Sequence, residues 1–178
     1  MARLTNGLTR VPQLADGVVP YEELLAPDGR MTGVELGKRR ERFSGTDAMA
    51  YSIMPKVCAW VERSMRELML GEGDRLSSMK FLTAAEKAGY EIHLVHLSAR
   101  QSVLDERCEA RGSRQSRHWR IGRVTMAVRL AAHAEAAGHT VHTLDAERPL
   151  DELVREMREQ MPFLLELGNA DDPVATRH

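Results

Sequence analysis

Two carboxylates stand in a glycine-bracketed turn, Gly71-Glu72-Gly73-Asp74-Arg75. Acidic side chains spaced in this way can hold a magnesium ion through water, or one of them can take a proton from a reacting hydroxyl. An equally good reading is that the glycines only make a turn and Asp74 caps the helix that follows. A third carboxylate, Asp47, closes the run Arg42-Phe43-Ser44-Gly45-Thr46-Asp47. It can serve as a helix N-cap, or it can face the same edge as Glu72. The candidate catalytic residues are therefore Asp47, Glu72 and Asp74, and Glu72 and Asp74 are also the candidate metal ligands.

The basic residues are 21 Arg against only four Lys, Lys38, Lys56, Lys80 and Lys87. Arginine offers a planar, permanently charged fork that matches phosphate oxygens, and such forks stabilise transferring phosphoryl groups. Between Arg100 and Arg129 there are eight Arg against Asp105, Glu106 and Glu109, a local surplus of five positive charges. The candidate phosphate-binding residues are Arg75, Arg107, Arg111, Arg114, Arg117, Arg120 and Arg123. A solvated helix face would account for Arg107 and Arg111 at i, i+4. The piece Gly112 to His118, however, breaks the helical pattern while keeping its arginines, which suits an anionic ligand better than solubility.

The whole chain has 178 residues and a formal net charge of −1. That balance removes bulk charge as a reason for nucleic-acid binding. Nine acidic residues against four Arg between Asp145 and His178 nevertheless mask the basic segment in the total. Cys58 and Cys108 lie 50 positions apart, with no C-x-x-C pair, so the expected thiols are reduced. No apolar run approaches the ~18 residues of a membrane span, and the expected location is the cytoplasm. His93/His96 and His139/His142 are each three apart. In strands that spacing sends the two rings to opposite faces, which argues against a metal pair. No G-x-S-x-G elbow supports serine hydrolase chemistry, and Met49, Met54, Met65, Met69 and Met79 fit core packing.

Placing these groups requires alternating strands and helices. Strands are expected at Met31 to Leu36, Arg66 to Leu70, Tyr90 to Leu97 and Thr140 to Leu144. Helices are expected at Ala48 to Met65, Ser77 to Ala88, Ala99 to Arg111, Trp119 to Ala137 and Pro149 to Met161, several closed by glycine. Strands separated by helices of this length indicate an α/β fold with a parallel sheet flanked by helices in three layers. Residues 1–30 are expected to be irregular, 31–162 to form the α/β domain with an arginine-rich lid at about 107–123, and 163–178 to form a tail.

The acidic turn after a strand, the arginine-studded segment, the long helix and a last strand ending at Leu144-Asp145 together resemble the P-loop kinases. The segments Pro27-Asp28-Gly29-Arg30, Val34-Glu35-Leu36-Gly37-Lys38, Phe43-Ser44-Gly45-Thr46-Asp47 and Gly71-Glu72-Gly73 resemble more closely the phage-type members, some proposed to phosphorylate hydroxymethylated pyrimidines in DNA. The resemblance spans roughly Tyr21 to Met161. It implies ATP and Mg2+, places Asp47 near the acceptor and the Glu72/Asp74 turn on the magnesium side, and assigns Arg111, Arg114 and Arg120 to a lid over the phosphates. Such kinases begin with a strand and G-x-x-x-x-G-K-[ST]. Here Gly37-Lys38 is the sole Gly-Lys pair, preceded by Thr32 at the first glycine position and followed by Arg39. The expectation is thus a kinase-like domain without its first strand and phosphate loop, in which a second copy or partner chain covers the sheet edge. Its ligand would be a nucleotide or small anionic substrate, with DNA compatible with the same charge. The alternative is a non-catalytic binding or assembly module that uses the arginine segment to hold an anionic partner.

Overall fold

The computed structural model describes residues 3–39, 46, 49–113 and 115–167. It divides into two compact units, Met1–Tyr90 with Met157–His178, and Glu91–Glu156. Among the described residues no helix is long and apolar enough to cross a membrane.

In the first unit, strands β1 (Thr9–Ala15), β2 (Val19–Leu25), β3 (Met31–Leu36) and β4 (Met69–Leu70) form one sheet in that order. The β1–β2 and β2–β3 pairs are antiparallel, and β3–β4 is parallel. Short connections dictate the antiparallel pairs. Asp16 and Gly17 both adopt positive φ and reverse the chain between β1 and β2. Pro27-Asp28-Gly29 reverses it again, with the Arg30 amide bonded to Asp28 Oδ1 at 2.9 Å. Helix α1 (Met54–Val61) buries Val57, Cys58 and Val61, and Trp60 stacks on Tyr21 of β2 with ring centroids 4.9 Å apart. Helix α2 (Met79–Lys87) is capped by Ser78, whose hydroxyl accepts from the Phe81 amide, and it buries Phe81, Leu82, Ala84 and Ala85.

In the second unit, β5 (His93–Ser98) and β6 (Thr140–Asp145) pair in parallel from His93 opposite Thr140 to Ser98 opposite Asp145. Helices α3 (Gln101–Ala110) and α4 (Arg117–Ala136) make the crossover between them. Helix α4 starts at Ser116, whose hydroxyl accepts from the Trp119 amide, and it packs on both strands with Leu130 and Ala134 buried. Helix α5 (Leu150–Gln160) carries Asp151 and Glu152 in its first turn and Arg158 in its last, matching its dipole. Its last residues and Met161, Leu164 and Leu167 belong to the first unit.

The mixed α/β class agrees with the sequence, but the single parallel sheet does not. The described strands form two sheets, and the larger is mostly antiparallel. Nor is the stretch 1–30 irregular, since it holds β1 and β2. Pro12 and the charges of these strands obscure the pattern, yet β1 lies at the sheet edge, where proline costs no ladder bond. The strand expected from Arg66 shortens to Met69–Leu70, and the helix expected over Ala48 to Met65 shortens to α1. The tail begins in order, because Pro162–Leu167 is a 3-10 helix.

Because β3 and β4 run parallel, Gly37-Lys38 and Gly71-Glu72 leave the sheet at the same edge, the carboxyl ends where α/β proteins bind ligands. Gly37 has φ +113°, and a Cβ there would stand 2.0 Å from the Thr46 carbonyl oxygen. Gly29 has φ +84° with open space around it. Gly37→Ala should therefore lower unfolding stability by at least about 2 kcal/mol and Gly29→Ala by about 1 kcal/mol. Denaturant titration checks the pair, and equal losses would show that the approach to Thr46 is not tight.

Candidate functional site

A buried polar chain crosses the first sheet. The strand register sets Glu22 of β2 directly opposite Glu35 of β3. Like charges so placed repel, and both side chains are buried, Glu35 with 1% of its surface exposed. Arg10 of β1 resolves the conflict. It donates to Glu22 Oε2 at 2.5 Å and to Glu35 Oε2 at 2.7 Å, and its other contact is the Thr5 hydroxyl. Burial alone would lower the Arg10 pKa, but hydrogen bonds and charge from Glu22 and Glu35 hold it above its ordinary value. Arg10 is paired with Leu24, diagonal to Glu22, a spacing that a long side chain can span.

The chain continues to Thr46, itself 1% exposed. Its hydroxyl donates to Glu35 Oε1 at 2.9 Å, with Glu72 Oε1 at 3.3 Å. Its amide donates to Glu72 Oε1 at 2.5 Å, and its carbonyl accepts from the Lys38 amide at 2.9 Å. Glu72, just past β4, is therefore a clasp on the residue that precedes Asp47 in sequence. Asp47 itself lies outside the described residues. Farther along the acidic turn, Asp74 Oδ2 accepts from the Tyr51 hydroxyl, and the Arg75 guanidinium sits 5.1 Å from the centroid of the Tyr51 ring.

Magnesium keeps several of its waters and needs only one or two protein carboxylates. Glu72 and Asp74 are donors of that kind on one turn, with Glu72 Oε1 bonded to Thr46 and Asp74 Oδ2 bonded to the Tyr51 hydroxyl. Among the described residues no group of three or more His, Cys, Asp or Glu is gathered as a metal site.

The arginine segment belongs to the second unit and centres on Asp105. Arg120 bonds Asp105 Oδ1 at 3.0 Å and the Gln115 carbonyl at 3.2 Å, and Arg117 reaches Asp105 Oδ2 at 3.4 Å. Desolvation would raise the Asp105 carboxyl, but the Gln101 amide, Arg120 and Arg117 hold it below the usual carboxylate range. Arg107 donates to the Ala146 carbonyl at 2.8 Å, and Arg111 donates to the Arg107 carbonyl at 3.1 Å. Arg123 lies 5.7 Å from the Trp119 ring centroid. Arg117 is helical, not in a loop, because α4 begins there, and Arg120 and Arg123 lie in the helix as expected. Arg114 lies outside the described residues.

Sequence reasoning missed Arg10, Glu35, Thr46, Tyr51 and Asp105. Glu35 left a visible signal, a carboxylate inside the apolar Val34-Glu35-Leu36. It also missed that His93 Nδ1 and His142 Nε2 lie 3.0 Å apart across β5 and β6. The spacing within each strand carries no information about such a pair.

Removing Arg10 would take the cation from the buried Glu35 carboxylate and leave Glu22 with Arg39 at 3.8 Å. Arg10→Met should destabilise the chain by about 3–5 kcal/mol, and adding Glu22→Gln and Glu35→Gln should recover part of that loss. Denaturant unfolding of both variants checks this, and a triple variant that loses more than Arg10→Met would contradict it.

Comparison with known proteins places the chain at the level of family. No curated protein and no solved structure matches it. A family model described as P-loop Nucleotide Kinase3 matches residues 1–158, most of the chain. The chain therefore belongs to the P-loop Nucleotide Kinase3 family and is, at that level, a kinase-like nucleotide phosphotransferase.

Proposed function

We propose that this protein transfers the terminal phosphoryl group of ATP to a hydroxyl of a nucleoside, a nucleotide or a modified DNA base. The observation that carries this reading is the family match over residues 1–158. The clasped Thr46 and the Glu72/Asp74 turn support it from the chemistry of the first unit, and the arginines around Asp105 from the second.

In the transfer, the acceptor oxygen attacks the terminal phosphorus and a new P–O bond forms. The P–O bond to ADP breaks, and the acceptor proton passes to a carboxylate of this chain. Asp47 or Asp74 takes that proton in the proposed scheme. Thr46, held through its amide and hydroxyl, fixes the backbone from which Asp47 follows. Arg75, Arg107, Arg111, Arg114, Arg117, Arg120 and Arg123 are the candidates for the phosphate oxygens, where a permanent positive charge offsets the charge that spreads over them during transfer. A phosphate group would draw Arg117 and Arg120 from Asp105 by offering a more highly charged acceptor. Where Asp47 takes the proton, bound magnesium held by Glu72 and Asp74 would neutralise part of the phosphate charge.

Transfer from γ-labelled ATP with millimolar magnesium, to a panel of nucleosides, nucleotides and DNA carrying hydroxymethylated pyrimidines, is the direct test. Labelled product should form with at least one acceptor class, and Asp47→Asn or Asp74→Asn should lower kcat by about 100-fold or more. Absence of labelled product with every acceptor, together with no ATP or ADP binding, would overturn the proposal.

A further inference from the structure

Tyr51 is an exposed aromatic side chain held in place from two sides. It opens the 3-10 helix Tyr51–Ile53, four residues after Asp47, and 61% of its surface is in contact with solvent. Its hydroxyl bonds Asp74 Oδ2, and the Arg75 guanidinium lies 5.1 Å from its ring centroid. Both partners belong to the acidic turn that the sequence marks as chemical. An aromatic ring kept in water forgoes the stabilisation that burial would give it. A ring also pinned at its hydroxyl has lost much of its freedom in advance, which lowers the entropy cost of binding something against it.

We infer that Tyr51 is the stacking platform for the planar base of the acceptor, an inference that rests on the phosphotransferase reading above. Every nucleobase has a π-face, and a tethered tyrosine with a neighbouring guanidinium offers both stacking and cation–π attraction. The hydroxyl bond to Asp74 fixes the ring beside a candidate proton acceptor, so a base stacked there would bring its attached hydroxyl-bearing group to that carboxylate. Trp119 beside Arg123 is the comparable ring of the second unit. It lies on the same helix as Arg117, Arg120 and Arg123, with Arg123 5.7 Å from its ring centroid, a setting for phosphate oxygens and not for an uncharged base.

Calorimetric titration of the full chain with thymidine 5′-monophosphate and, separately, with ribose 5-phosphate tests this. Wild type should bind the nucleotide. Tyr51→Leu should weaken that binding by about tenfold or more, while ribose 5-phosphate, which has no base, should bind both proteins alike. Tyr51→Phe, which keeps the ring and loses the hydroxyl tether, should weaken binding by less than Tyr51→Leu does. Unchanged nucleotide affinity in Tyr51→Leu, an equal loss for ribose 5-phosphate, or no nucleotide binding by wild type would each overturn the inference. In wild type alone, the base protons of bound nucleotide should shift upfield in the proton spectrum, and no shift at saturation would overturn it even where Tyr51→Leu fails to fold. The two readings fail separately. Tyr51-dependent nucleotide binding without transfer to any acceptor would refute the kinase assignment and leave the platform. Transfer by Tyr51→Leu with an unchanged acceptor KM would refute the platform alone.

Discussion

Two glutamates face each other across β2 and β3, and one arginine from β1 lies between them. A buried ion pair is a weak source of net stability, because desolvation offsets most of the attraction. What such a group supplies here is position. Arg10 offsets the repulsion between Glu22 and Glu35, and Arg10 would have no reason to be buried without them. The three together fix the register of the antiparallel strands, since a slip of one residue would turn these charges to the opposite face.

The consequence reaches the edge of the sheet where β3 and β4 end. Glu35 uses one oxygen for Arg10 and the other for the Thr46 hydroxyl, and Glu72 takes the Thr46 amide. Thr46 is thus tied to β3 through the Glu35 side chain and to the end of β4 through Glu72. Glycine at position 37 completes the arrangement, because only a residue without Cβ lets the chain leaving β3 pass the Thr46 carbonyl. The acidic turn has a divided role. Glu72 holds backbone, whereas Asp74 holds the Tyr51 hydroxyl.

Much of the second half was legible in the sequence, because glycines end its helices and the period changes cleanly between helix and strand. Helices α2 to α5 and strands β5 and β6 fall within a few residues of their expected bounds. The first unit was harder to read for a physical reason. Its strands carry Arg10, Pro12, Glu22, Glu23 and Glu35, so hydrophobic alternation is broken by the very charges that pair across the sheet. Partners 12 and 25 positions apart leave no local trace. The acidic turn was legible as chemistry. The dependence of Arg117 and Arg120 on Asp105 was not, since it requires two helices to be folded against each other.

The central claim is that this polar chain holds Thr46 as firmly as the sheet holds its own strands. Amide hydrogen exchange at Thr46, compared with Val34 in β3, measures it most directly. A Thr46 amide bonded to Glu72 should exchange only when the sheet opens, at a rate close to that of Val34. Exchange of Thr46 at the unprotected rate while Val34 stays protected would contradict the account.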